Sequence, residues 1–314
     1  MTKPKLSFWQ IWNLSFGFLG VQIGYSLQNS NTSSIFESLG ADVSHLSYFW
    51  LAAPLAGMIV QPIVGLFSDG TWTRWGRRIP YILGGSLISA LALVLMPNCP
   101  KLLAFAPLAM GAFILLFMDL SFNVTMQPFR ALVADMLDDS QKTQGYVVQT
   151  FLINLGAVVG AILPLVMTWL GVSDEAAPGH VSPHIAYSYY AGGAILLLTV
   201  LVTSFKTREY PPGEFARYNN LSEEDAKPMS FVGLMRNVPG VMVRLGVTQF
   251  FSWAALFLMW TYLKPAITGV VTDHATGEVL SAGATQTWVG VLNGTYPIPC
   301  LLYTSDAADE GLGV

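Results

Sequence analysis

Seven apolar stretches of membrane-crossing length recur along the chain, and their spacing restricts it to one class of fold. They fall near Phe8 to Ile35, Leu46 to Phe67, Tyr81 to Met96, Leu102 to Met126, Tyr146 to Leu170, Ala186 to Phe205 and Val241 to Leu263, with an eighth beginning near Thr287. A helix needs about 20 such residues to cross the hydrocarbon core, and every backbone amide must bond within it, which makes an all-α membrane bundle the expected architecture. Only 11% of residues are charged and 53% are hydrophobic, against roughly 25% charge in soluble domains.

The basic residues orient the spans. Of 15 lysines and arginines, 12 lie in segments that this count places on one side: Lys3, Lys5, Arg74, Arg77, Arg78, Lys142, Lys206, Arg208, Arg217, Lys227, Arg236 and Arg244. Lys101 and Lys264 fall opposite, and Arg130 lies within a span. Basic loops resist translocation, so the amino terminus is expected to be cytoplasmic. The first apolar segment follows Met1 to Lys5 without a small-residue cleavage site and is read as a retained helix rather than a signal peptide.

A polar, proline-containing stretch interrupts the spans after residue 205. The expected organisation is a six-helix bundle over residues 1–205, a cytoplasmic linker over 206–239, and the start of a second bundle over 240–299. Residues 300–314 contain CLLYTSDAADE, which reads like a translated sequencing adapter, and are expected to be a cloning artefact that turns polar where the eighth span should still be apolar. Two cysteines, Cys99 and Cys300, imply no disulfide framework. His45, His180, His184 and His274 fall in predicted outer loops without ligand spacing and are read as solvated, so no metal site is expected.

Three spans carry polar stripes. Gln22, Ser26, Asn29 and Ser33 lie within about 60° of one another on the first helix at 100° per residue. On the fourth, Asp119, Asn123, Gln127 and Arg130 keep within about 80°, and on the seventh Gln249, Trp253 and Trp260 share a face. A carboxyl group at membrane depth costs about 2.5 to 3.5 kcal/mol or more when ionised, so Asp119 is expected beside a cavity or a partner, where wetting, burial and pairing would make it a proton switch. Arg130 is about 16 Å further along the helix at 1.5 Å per residue, too far for direct pairing unless Pro128 bends the helix or a bound molecule bridges the gap. A fixed ion pair joining helices is the alternative reading.

Amides that donate and accept, with flat aromatic faces, suit a polyhydroxylated ligand; Gln22, Tyr25, Asn29, Asn123, Gln127, Gln249 and Trp253 are such residues. Interhelical hydrogen bonding and interfacial aromatics explain any one of them equally well. Asp69 with Arg74, Arg77 and Arg78 is read as a conformational latch docking on a neighbouring helix end, with positive-inside topology alone as the alternative. Glycines 17, 20 and 24, and again 156 and 160, are spaced for close helix contact.

These segments resemble the sucrose/proton symporter branch of the major facilitator superfamily, close to the glycoside-pentoside-hexuronide cation symporters. The residues that carry the likeness are GVQIGYSLQNSNTSSIFESLG, PLAGMIVQPIVGLFSD, RWGRR and DLSFNVTMQPFRALVAD. The chain departs from the family at Asp69-Gly70, where Asp-Arg is common, and at Met126 to Arg130, where plant members carry Gln-Gly-Pro-Cys-Arg. The resemblance implies a major facilitator superfamily helical bundle with seven to eight of twelve transmembrane helices present, and 3+3 inverted repeats within each half. It implies Asp119 as proton acceptor, Arg130 as substrate or coupling partner, and no enzymatic activity. The expected function is proton-coupled uptake of a disaccharide such as sucrose or maltose across a bacterial cytoplasmic membrane. Uncoupled or sodium-coupled glycoside transport and a membrane sugar sensor are the alternatives. No cofactor beyond the coupling ion, H⁺ or Na⁺, and no nucleic-acid partner is expected; sugar and lipid bilayer are the partners, and the full-length protein is expected to be a monomer.

Overall fold

In a computed structural model, residues 3–42, 57, 60–177, 179–219, 233, 238–268, 270, 272, 277–295 and 297–298 are described. The expected first half of the second span, His45, His274, the centre of the linker with Lys227 and Arg236, and the tail from residue 299 lie outside them, as does the side chain of Trp260. The described chain is helical: α1 Phe8–Ser38, α2 residues 60–70, α3 Ile79–Leu95, α4 Cys99–Leu102, α5 Pro107–Met136, α6 Lys142–Trp169, α7 Pro183–Lys206, α8 Pro212–Tyr218, α9 Gly240–Ile267 and α10 Ala282–Thr295. By length and composition, five of the described segments can cross a membrane: Ile79–Leu102, Pro107–Met136, Asp139–Trp169, Pro183–Lys206 and Gly240–Ile267. At 31 residues α1 is long enough, but its glutamines, asparagines and serines keep it less apolar than those five.

Sequence punctuation sets the helix starts. Ser7 caps α1 in a reciprocal capping box, accepting from Gln10 N while its own N–H donates to Gln10 Oε1 at 2.8 Å. Leu6 is tied to the α5–α6 corner through both ends of the Gln141 amide, at 2.9 and 2.8 Å. Prolines open α3, α5 and α7, where the missing N–H would have had no helical partner.

Helix α1 runs through the middle of the bundle. It lies parallel to α6, where Gly156 and Gly160 meet Leu19 and Ile23 in turn, and antiparallel to α7, where Gly17 and Gly20 meet Val200 and Leu196. A Cβ on Gly156 or Gly160 would stand 2.5 Å from the carbonyl oxygens of Leu19 and Ile23, so backbone approaches backbone as small-residue spacing in membrane helices allows. Gly160→Leu is expected to destabilise the chain by at least about 3 kcal/mol, the upper range for overpacking. Gly65→Leu, with nothing within 4 Å of its Cβ position, should be tolerated. Denaturant titration of both variants in detergent micelles checks this.

One sequence reading is corrected by the packing. His184 is not solvated: α7 begins at Pro183, earlier than the apolar window suggested, and the first turn carries the imidazole into the interior at 0% exposure. Cys99, at the start of the short helix α4, is also buried. Exposed His180 matches the expectation. The segment after α7 also contains α8, a short helix that the linker reading did not anticipate.

Candidate functional site

Asp119 sits midway along α5, 3% exposed, facing α1. Gln28 Nε2 of α1 donates to its Oδ1, while Oδ2 is buried with no partner. Gln28 Oε1 is likewise buried and unpartnered. Among the described residues no lysine or arginine forms an ion pair with this carboxylate. The fixed helix-joining pair considered from the sequence is therefore not formed, and a buried acid held by one amide and left with one open oxygen can take up or give away a proton.

Beside it runs a chain of amides. Gln127 Nε2 donates to Gln61 Oε1 at 2.6 Å, Gln61 Nε2 donates to Asn123 Oδ1, and Asn123 Nδ2 donates to the backbone oxygen of Asp119 at 2.8 Å. Gly57 packs directly on the Asn123 amide, where a Cβ would stand 3.4 Å away. Tyr25 lies edge-on to Phe122, with ring centroids 5.7 Å apart, beside the Asn29 side chain and within electrostatic reach of Asp119 and Arg130. Arg130 is exposed and makes no ion pair among the described residues, and α5 continues as helix through Pro128.

The structure thus brings Tyr25, Asn29, Asp119, Asn123 and Gln127 together and adds Gln28 and Gln61, which the wheel arithmetic passed over. Position 28 lies 100° from Asn29, and the run Gln28 to Ser34 is polar on every face, so no single stripe marks it. Other members of the stripes go elsewhere. Gln22 packs its Cβ near Gly156 of α6, and Ser26 donates to Ala157 O at 2.7 Å, sealing that helix contact instead of facing water. Gln249 and Trp253 lie on the exposed first half of α9, which reaches α1 through its last turns. There Lys264 Nζ bonds Glu37 Oε2 and Ser34 Oγ at the end of α1 opposite Ser7.

A second polar cluster lies at the other end of the bundle, where α2 turns into α3. Arg77 Nη2 and Arg78 Nε both engage Asp135 Oδ2 in the last turn of α5, Arg78 also pairs with Asp69, and Arg78 Nη1 donates to Ser68 Oγ at 2.6 Å. Glu209, beyond α7, accepts from the N–H groups of Arg77, Arg78 and Ile79 at 2.9 to 3.1 Å, closing the N-terminus of α3. Burial pushes its carboxyl group above the usual range, and those three amides with the Arg77 charge offset part of that rise. The Arg77 guanidinium also lies 4.1 Å over the Phe215 ring of α8. Between Arg74 and Arg77 only glycine fits: Gly76 has φ 110°, and a Cβ there would meet Glu209 Oε1 at 2.6 Å. Arg74 stays out of the cluster, exposed and 5.8 Å from the centroid of the Trp75 ring.

A family model described as MFS/sugar transport protein matches residues 35–279. Among curated proteins, the chain is 27% identical over 267 residues to sucrose transport protein SUT1 of Oryza sativa subsp. japonica, covering 76% of this chain and 49% of that protein. It is 25% identical over 283 residues to the general alpha-glucoside permease of Schizosaccharomyces pombe, covering 83% and 48% respectively. Over 157 residues it is 31% identical to sucrose transport protein SUC3 of Arabidopsis thaliana, which is 45% of this chain and 26% of that protein. The chain spans about half the length of the first two.

Proposed function

We propose, from the premise that this chain belongs to the MFS/sugar transport protein family, that it forms part of a symporter coupling sugar entry to proton entry by alternating access. The substrate is a disaccharide of the sucrose or maltose class, in keeping with the names of its relatives. The observation that carries the reading is Asp119, a 3% exposed carboxyl group with one oxygen on Gln28 and the other without a partner. Protonation at the open oxygen makes the site neutral, which removes the cost of carrying a charge through a closed intermediate. Sugar hydroxyls then compete for the amides of Asn29, Asn123 and Gln127, and the arginine at position 130 supplies donors further along α5. Gln249 and Trp253 complete the sugar-facing set in this proposal, and Asp69, Arg77 and Arg78, with Arg74 beside them, form a latch holding one conformation. The amino terminus and the latch lie in the cytoplasm, following the basic loops.

Reconstitution tests the coupling. In proteoliposomes holding a transporter of the relatives' length that carries these residues, an inward proton gradient should concentrate labelled sucrose or maltose, and a protonophore should abolish the accumulation. Accumulation that survives the protonophore, or that follows a sodium gradient alone, overturns proton coupling; binding without counterflow overturns transport.

A further inference from the structure

We propose that the groove between α3 and α7, beside the α2–α3 loop, binds an anionic glycerophospholipid of the membrane leaflet on that side. The groove encloses a cavity of about 1030 Å³. Its wall comes from Leu83 and Leu87 of α3 and Leu197, Leu201 and Phe205 of α7. Leu87, Leu201 and Phe205 are 62%, 39% and 83% exposed within segments that can cross the membrane, so what covers them at that depth is hydrocarbon.

Charge decides the head group. At the mouth of the groove stand Arg74 and Arg208, both exposed and without an ion pair among the described residues, with the rings of Trp72 and Trp75. Their neighbours Arg77 and Arg78 are neutralised by Asp135 and Asp69, so the positive field at the mouth belongs to the two unpaired guanidinium groups. One acid, Glu209, also lines the groove, but its carboxylate is committed to the three N–H groups that open α3. Guanidinium forks suit a phosphodiester, and tryptophan rings suit the head-group level of the bilayer. Ser86 and Ser204 also line the groove, and the Oγ of each is buried without a partner in the protein; a turn about χ1 would present either hydroxyl to an ester carbonyl of the ligand.

Native mass spectrometry of the full 314-residue chain in detergent tests the assignment, using phosphatidylglycerol and phosphatidylcholine with the same acyl chains. The chain is expected to retain phosphatidylglycerol in preference to phosphatidylcholine. Replacing both arginines, Arg74→Gln with Arg208→Gln, should weaken phosphatidylglycerol binding about thirtyfold, from about fivefold per basic residue at a membrane surface, and erase the preference. Leu87→Trp, which fills the wall and leaves both charges, should weaken both lipids alike, whereas Lys101→Gln at the far end of the bundle should change neither. Equal retention of the two lipids, or undiminished phosphatidylglycerol binding in a double variant with an unchanged melting temperature, overturns the proposal. So does complete displacement of the lipid by inorganic phosphate, which would make the arginines a free-phosphate site.

Discussion

In a transporter of the relatives' length that carries these residues, the proposed coupling makes Asp119→Asn reduce concentrative sugar uptake to simple equilibration. One proton moving through 100 mV is worth about 2.3 kcal/mol, enough for about fiftyfold accumulation. Asparagine keeps the size of the side chain and an acceptor for the Gln28 amide, so the helix contact between α1 and α5 survives while the titratable oxygen is lost. The internal-to-external ratio of labelled disaccharide should therefore fall from about fifty to about one at that driving force, with exchange down a gradient preserved. Measuring the ratio against external pH in proteoliposomes decides the matter. A variant that still concentrates sugar with a parental pH profile would remove Asp119 from the coupling step and leave it a structural acid.

The largest loss of stability is expected at Asp135. Its carboxylate, 18% exposed, holds the guanidinium groups of Arg77 and Arg78, which are 8% and 6% exposed. Removing one partner of a buried pair strands the other charge in a medium that solvates it poorly, a cost of about 3 to 5 kcal/mol. Asp135→Ala strands two, although Arg78 keeps Asp69 and Ser68 as partners and Arg77 keeps its place against Phe215. We expect Asp135→Ala to unfold at markedly lower denaturant concentration than the parent, and Asp69→Ala, whose carboxylate is 54% exposed, to cost well under half as much. Parallel denaturant titrations in micelles compare the two, and equal losses would show that Asp135 does not organise the cluster.

The bundle was legible in the sequence because its causes are local. Apolar windows of helical length fix the spans, and the glycine spacings at 17, 20 and 24 and at 156 and 160 name the faces along which α1 meets α5, α6 and α7. The site was legible only as far as one helix at a time can reveal. Wheel arithmetic gathered Asp119, Asn123 and Gln127 on one side of α5, but what stands opposite depends on contacts far away in the chain. Gln28 lies 91 residues from Asp119, Gln61 lies 62 from Asn123, and Glu209 lies 132 from Arg77. The same limit explains Ser26, which shares the stripe of Asn29 yet is buried against α6, because a polar face seals a helix contact as well as it lines a channel.

Helix α9 is fastened to α1 near its last turns, where Lys264 grips Glu37 and Ser34, while its opposite end is exposed. Losing the Lys264 ammonium would strand the Glu37 carboxylate, so the seam between these two helix ends depends on both charges being present together.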